Sequence, residues 1–133
     1  MVTINWPAVL VATVLGFFLN GLWYSKTLFG PAWKKLSGLS DEALATGLWP
    51  RMGLALLGSF LPAWCLAGFF NFTHSSNVLM GAAAGLQLFL GLVLPAMAME
   101  HLFARRPLKL LAINLAPACL ALLFQGALLA VWK

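Results

Sequence analysis

Charged side chains are scarce in this sequence of 133 residues, in which Lys and Arg number 8 and Asp and Glu only 3. Charged residues make up 8% of the chain, whereas about a quarter of a soluble domain is charged. Such a chain cannot cover a folded surface with charge, so a soluble globular domain is excluded. Its hydrophobic content of 62% also excludes disorder, which requires few apolar residues. The composition therefore indicates a small integral membrane protein.

Alternating apolar and polar residues, which mark membrane barrel strands, are absent, and long apolar runs take their place. Because about 20 apolar residues cross a bilayer, four helices are predicted. They cover residues 6–24, 52–72, 78–102 and 108–132. We therefore expect an all-α integral membrane four-helix bundle, formed as a single domain by residues 1–133. Residues 1–5 contain no Lys or Arg, so we interpret the first helix as retained rather than as a secretory signal.

Basic residues are unevenly distributed along the chain. Seven of the eight lie in the connection 25–51 or around the connection between the third and fourth helices, and the eighth is Lys133. Because basic loops stay cytoplasmic, both termini are predicted to be non-cytoplasmic, in the periplasm or outside the cell, with the helices in a bacterial inner membrane. The cytoplasmic connection 25–51 is expected to contain one short amphipathic segment after Ser40. The net charge of +5 is explained by this topology, so nucleic acid is not an expected partner.

Motifs for catalysis and metal binding are also lacking. Cys65 and Cys119 lie in different predicted helices without CxxC spacing, and the two histidines are isolated. No nucleophile with its base, phosphate-binding glycine loop or pair of catalytic carboxylates can be assembled. We therefore predict no catalytic residue, no metal and no cofactor, and we leave an enzymatic activity open without favouring it.

Polar side chains within the predicted helices are the candidate functional residues, because a polar group in the bilayer is costly unless it is paired. One set lies near the cytoplasmic ends of all four helices and is predicted to converge there: Asn20, Trp23, Tyr24, Arg51, Glu100, His101 and Asn114. Gln87 and Gln125 lie deeper. All nine are candidate substrate- or partner-binding residues. Helix packing through small residues and hydrogen-bonded amides explains the same polar stripes without any ligand.

Glu100 is the only carboxylate near a predicted span, and two interpretations of it are open. In the first it faces the bundle interior and pairs with Arg51 or His101. In the second it lies among the headgroups and pairs with Arg105 or Arg106. A proton-transfer role for Glu100 depends on the first interpretation.

Three prolines, Pro62, Pro95 and Pro117, lie at similar depth near the middle of the membrane. Each lacks an amide hydrogen and frees the carbonyl four residues earlier. Three kinks at one depth predict a pocket lined by carbonyls, Gln87 and Cys65. If neighbouring groups instead satisfy the freed carbonyls, no pocket is needed.

Two groups of residues resemble a known family. They are Ile4-Asn5-Trp6, Gly21-Leu22-Trp23-Tyr24-Ser25, Leu28-Phe29-Gly30 and Ala32-Trp33 near the N-terminus, and Arg106-Pro107-Leu108-Lys109-Leu110, Ile113-Asn114, Gly126 and Trp132 near the C-terminus. This pattern resembles small bacterial membrane proteins catalogued as domain of unknown function 1761. The resemblance covers essentially the whole chain and implies a four-helix membrane protein without assigned activity, cofactor or substrate. Such proteins often carry a polar or aromatic pair shortly after the Asn, where this chain has Leu115-Ala116-Pro117-Ala118.

Two classes of function fit these observations. The first is a non-enzymatic bundle that packs into a homo-oligomer and serves as a transporter, channel or scaffold subunit. The second is a membrane-embedded binder or enzyme that acts on a hydrophobic small molecule or lipid through a polar pocket facing the cytoplasm. The expected partners are the lipid bilayer, a second copy of the chain, or a lipid-like small molecule.

Overall fold

The computed structural model describes residues 3–133, and every regular element within them is helical. In chain order the elements are α1 (Trp6–Trp23), α2 (Gly30–Ser37), α3 (Asp41–Ala45), α4 (Leu48–Thr73), α5 (Val78–Leu88), a π-helical segment (Phe89–Val93), α6 (Leu94–Phe103) and α7 (Leu108–Val131). Four stretches are long and apolar enough to cross a membrane: α1, α4, the continuous run from α5 to α6, and α7. The prediction of an all-helical protein with four candidate spans is confirmed.

Helix α4 begins at Leu48 rather than at residue 52. Gly47 takes a left-handed conformation with φ 67°, and this glycine turns the chain directly into the helix. Arg51 was assigned to the connection from the sequence, but it lies in the first turn of α4. Its guanidinium folds back to donate hydrogen bonds to carbonyls of the preceding segment, including those of Leu44 and Thr46.

The connection between α1 and α4 contains the two short helices α2 and α3. The Ser40 hydroxyl accepts a hydrogen bond from the Ala43 amide at 3.1 Å and so caps α3. An ion pair between Lys34 and Asp41 joins the two helices. The hydrogen bond and the positive charge of Lys34 hold the pKa of the exposed Asp41 carboxyl below its usual value. This connection is the polar part of an otherwise apolar fold.

The third span is interrupted by the π-helical segment. Pro95 has no amide to donate to the carbonyl of Gly91, and its ring crowds that carbonyl in a regular α-helix. The Leu94 amide instead donates to the Phe89 carbonyl, five residues earlier, so the helix widens by one residue before it continues as α6. This bulge changes which side chains of the third span face α7.

The bundle has two ends, which we name by their residues. The basic end contains Tyr24, Met52, Phe103 and Leu108, where α1 and α6 end and α4 and α7 begin. The terminal end is the opposite end, which contains Trp6, Thr73, Val78 and Val131. At the terminal end α1 and α4 belong to a closely packed apolar core, in which Ala8, Val9, Ala12, Ala63 and Leu66 are fully buried. Close packing of small and apolar side chains therefore closes one end of the bundle.

A glycine seam, formed by Gly81, Gly85 and Gly126, joins α5 to α7. A methyl group on Gly81 or on Gly126 would collide with the backbone carbonyl of the other residue, and one on Gly85 would collide with the carbonyl of Leu122. Only glycine permits this close approach of the two backbones. The Gly81–Gly85 spacing is thus used for helix packing, which is its common use in membrane proteins.

Candidate functional site

A cleft of about 1210 Å³ lies between α1, α4, α7 and the π-helical segment. This volume is larger than the range of about 300–1,000 Å³ that is typical of small-molecule sites. Most of the lining side chains are apolar, and none is charged. Those with a polar side-chain atom are Asn20, Tyr24, Ser59, Cys65 and Gln125.

The cleft opens sideways, towards the surface that faces lipid if the spans cross a membrane. Phe18 and Leu22 of α1, Met52 of α4 and Leu92 of the π-helical segment all line the cleft, and their side chains are also exposed on the outside of the bundle. These apolar residues form an entrance that is continuous with the apolar outer surface. A molecule dissolved in the bilayer would therefore reach the cleft without crossing water.

The inner end of the cleft contains a hydrogen-bonded network that joins three helices. Gln125 of α7 is 1% exposed, and its Nε2 donates to the carbonyls of Ala12 in α1 and Ser59 in α4, each at 3.1 Å. The Ser59 hydroxyl donates to the Thr13 carbonyl at 2.7 Å. A methyl group on Gly16 would lie 2.5 Å from Ser59 Oγ and 2.7 Å from Gln125 Nε2. Glycine at position 16 therefore makes room for the network.

The orientation of the Gln125 amide follows from its neighbours. Nε2 also lies 3.3 Å from Ser59 Oγ, whose proton is already donated to Thr13. All three neighbours of Nε2 are therefore acceptors, and only the NH₂ group fits at this position. Oε1 accepts no hydrogen bond from any residue in the range 3–133. Among these residues, Ser75 Oγ is the one inaccessible side-chain atom that lacks a hydrogen-bond partner. Oε1 also lacks a partner, so it must be accessible from the cleft. The cleft thus contains an acceptor that has no donor.

A backbone acceptor lies on the α4 wall of the cleft. Pro62 lacks the amide that would donate to the Gly58 carbonyl in a regular helix, and both residues line the cleft. A methyl group on Gly58 would meet no atom within 4 Å, so this stretch of α4 borders open space. Proline at position 62 thus leaves the Gly58 carbonyl without its regular helical donor in this wall of the cleft.

A second network lies at the basic end and joins α1, α6 and α7. The Tyr24 hydroxyl donates to Asn114 Oδ1 at 2.9 Å, and Asn114 Nδ2 lies 3.3 Å from His101 Nε2. Because Asn114 presents its NH₂ group, Nε2 of a neutral His101 is the acceptor and Nδ1 carries the proton. Nδ1 lies 3.0 Å from both the Met97 carbonyl and Glu100 Oε2. The network therefore extends from the cleft residue Tyr24 to a carboxylate at the protein surface.

Glu100 continues this network to the surface. Its side chain is about half exposed, and Oε1 lies 3.4 Å from Nη2 of Arg106. Glu100 therefore pairs with Arg106 and with His101, which combines one partner from each of the two interpretations that the sequence left open. Glu100 and His101 do not line the cleft.

Trp23 lies beside the same network and has a structural role. Pro117 frees the carbonyl of Ile113, and Trp23 Nε1 donates to that carbonyl at 2.9 Å. The indole ring also stacks on Phe29, with ring centroids 4.3 Å apart. The carbonyl freed by Pro117 is thus satisfied by a neighbouring helix, whereas the one freed by Pro62 borders the cleft.

Arg51 and Gln87 lie away from the residues with which the sequence grouped them, and Asn20 lines the cleft. Arg51 is exposed and bonds to its own connection instead of joining the network at the basic end. Gln87 lies outside the cleft, because it follows Gly85 by two residues, about 200° around the helix, and Gly85 faces α7. Asn20 donates to the carbonyl of Gly16 at 2.8 Å and lines the cleft rather than joining the network.

Ser59 was not among the candidates from the sequence, and Gly58 was anticipated only through its carbonyl. Ser59 links Gln125 to α1, yet a single serine in an apolar helix gives no periodic signal. Gly58 borders the cleft, and its carbonyl, freed by Pro62, is one of those from which the sequence predicted a pocket. Of the side chains named for that pocket, Pro62 and Cys65 line the cleft, whereas Gln87 does not.

The four helices are long and apolar enough to cross a membrane, which suggests a multi-pass membrane protein, and an apolar cleft lies between them. A family model described as "Protein of unknown function (DUF1761)" matches residues 7–130. The chain belongs to this family, in agreement with the resemblance that its motifs show. No curated protein and no solved structure matches the chain.

Proposed function

We propose that this chain binds a hydrophobic small molecule or lipid of the bilayer within the cleft. The observation that carries the proposal is the combination of a volume of about 1210 Å³, apolar walls and polar atoms restricted to a few positions. Ligand sites commonly have this composition, because apolar walls supply affinity and a few polar groups orient the ligand. The entrance at Leu22, Met52 and Leu92 supports a ligand that arrives through the membrane.

The proposal is one of binding, and it assigns no proton transfer. The residues with the clearest acid–base chemistry, Glu100 and His101, lie outside the lining of the cleft and pair with each other. Tyr24 lines the cleft, but its proton is donated to Asn114. The oligomer, the orientation of the termini and the bacterial inner membrane stay predictions from the sequence.

The test compares two glycines of α4 that both have open space around the Cα atom. Gly58 lines the cleft and Gly53 does not, and a Cβ atom added at either meets no atom within 4 Å. We expect Gly58→Leu to project into the cleft and weaken binding of dodecanol by at least about tenfold, which corresponds to about 1.4 kcal/mol. Gly53→Leu should bind as wild type does. Native mass spectrometry of protein released from detergent micelles measures the bound alcohol.

Two outcomes would contradict the proposal. The first is that wild-type protein retains no dodecanol. The second is that Gly58→Leu and Gly53→Leu retain as much as wild type, which would place the bound alcohol outside the cleft.

A further inference from the structure

We infer that the ligand of the cleft is uncharged and carries a hydrogen-bond donor, such as a hydroxyl group, that binds to Oε1 of Gln125. The inference rests on the proposed function and adds the chemical class of the ligand. It depends on which polar atoms of the cleft are already paired and which are free.

The free side-chain atom at the inner end of the cleft is an acceptor. Gln125 is 1% exposed, its Nε2 is fully engaged by Ala12 and Ser59, and its Oε1 accepts no hydrogen bond from residues 3–133. An amide oxygen that faces an apolar cleft without a donor is unfavourable, and in a bilayer no bulk water is present to compensate. A ligand that donates a proton to Oε1 would remove this cost.

Other acceptors lie along the same cleft. Asn20 uses its Nδ2 to bond to Gly16, which leaves Oδ1 without a partner among the described residues. The Gly58 carbonyl has lost its helical donor because residue 62 is proline. Acceptors are therefore present on both the α1 and the α4 walls.

The donors of the cleft are mostly engaged by the protein itself. The Ser59 hydroxyl donates to Thr13 at 2.7 Å, and the Tyr24 hydroxyl donates to Asn114 at 2.9 Å. A ligand whose polar group is only an acceptor, such as an ether or an ester, would place its oxygen against Gln125 Oε1. Because most donors of the cleft are already paired, the cleft favours ligands that donate a hydrogen bond.

The charge of the ligand follows from the same lining. No Lys, Arg, Asp, Glu or His lines the cleft. An ionised headgroup in an apolar cleft would lose its hydration without gaining an opposite charge, which is strongly unfavourable. We therefore expect a neutral polar group on an apolar body, and dodecanol is a simple example of this class.

The experiment compares dodecanol with its methyl ether, which has the same chain and oxygen but no donor. We expect purified wild-type protein to bind dodecanol about fivefold more tightly than the ether, which is the effect of about one net hydrogen bond. Apparent dissociation constants come from native mass spectrometry at increasing probe concentrations. This comparison requires no variant, so it does not depend on whether a mutant folds.

Three variants assign the preference to Gln125. Gln125→Leu should reduce the ratio of the two dissociation constants to about one, because the acceptor is lost. Gln125→Glu should keep the preference, because a carboxyl group in apolar surroundings stays protonated and retains a carbonyl acceptor and a donor. Gln87→Leu makes the same change outside the cleft and should leave the ratio unchanged.

Each further outcome has a definite meaning. If wild-type protein binds both probes equally well, or if Gln125→Leu keeps the preference for the alcohol, the inference is wrong and the proposed function survives. If wild-type protein binds neither probe, the proposed function is wrong as well.

Discussion

The two sides of α7 differ in how they use small residues. On one side the glycine seam brings α5 so close that Gly81 and Gly126 cannot accommodate even a methyl group. On the other side Gly58 of α4 faces a cleft of about 1210 Å³, where an added methyl group would meet no atom within 4 Å. The same residue type therefore closes one interface and leaves open space on the other. The distance between the backbones of the two neighbouring helices decides whether a glycine closes an interface or borders open space. This distance cannot be inferred from the glycine itself.

Hydrogen bonds explain why the open side does not collapse. The Gln125 network holds α1, α4 and α7 together at the inner end of the cleft, and Tyr24 with Asn114 joins α1 to α7 at the basic end. In apolar surroundings each such bond stabilises helix association by roughly 0.6–2 kcal/mol. The cleft thus lies between two polar contacts that keep α1 and α7 in register.

The largest effect on stability is expected from a substitution in the glycine seam. Gly126→Ala should lower the free energy of unfolding by about 2 kcal/mol, because the added methyl collides with the Gly81 carbonyl and the backbones must separate. Denaturant titration in detergent, followed by circular dichroism, measures this change.

Gly53→Ala is the control for this substitution. It adds the same methyl group to an exposed glycine of α4 and should leave stability unchanged or raise it slightly, since Ala is the better helix former. Equal stability of the two variants would mean that the seam is looser than described and would remove the contrast between the two sides of α7.

A smaller loss is expected from Gln125→Leu, which removes the network at the inner end of the cleft. The expected decrease in the free energy of unfolding is about 1 kcal/mol, because Ala12 and Ser59 lose donors while the new side chain fills a similar volume. The matched variant Gln87→Leu should change stability by less than about 0.5 kcal/mol, since Gln87 is exposed. If both variants lost the same stability, the network would not be what holds the open side together.

The sequence predicted the spans, much of the network at the basic end and a pocket beside the prolines, but only part of the lining of the cleft. Four apolar runs fix the number of helices, and depth alone brought Tyr24, His101 and Asn114 to one level. Depth says nothing about direction around a helix, and for this reason Gln87 was misplaced: the contact of Gly85 with α7 turns it away from the cleft.

Arg51 was misplaced for a different reason. Its position depends on how the connection folds back, because its guanidinium bonds to carbonyls of that connection, among them Leu44. Such a local backbone conformation has no signal in hydropathy, and Gly47 before α4 was the only indication of it. The sequence therefore indicated how deep each residue lies in the bundle. It did not indicate the direction of a side chain around its helix or the conformation of the connection between α1 and α4.

The smallest effect on stability is expected for Gly58→Leu, and this variant gives the sharpest comparison of the two sides of α7. The added side chain enters open space, so the free energy of unfolding should stay within about 0.5 kcal/mol of wild type. The same variant is expected to lose dodecanol binding, so stability and binding should separate at this position. A stability loss as large as that of Gly126→Ala would show that α4 packs closely here, and the cleft would then be no more open than the glycine seam.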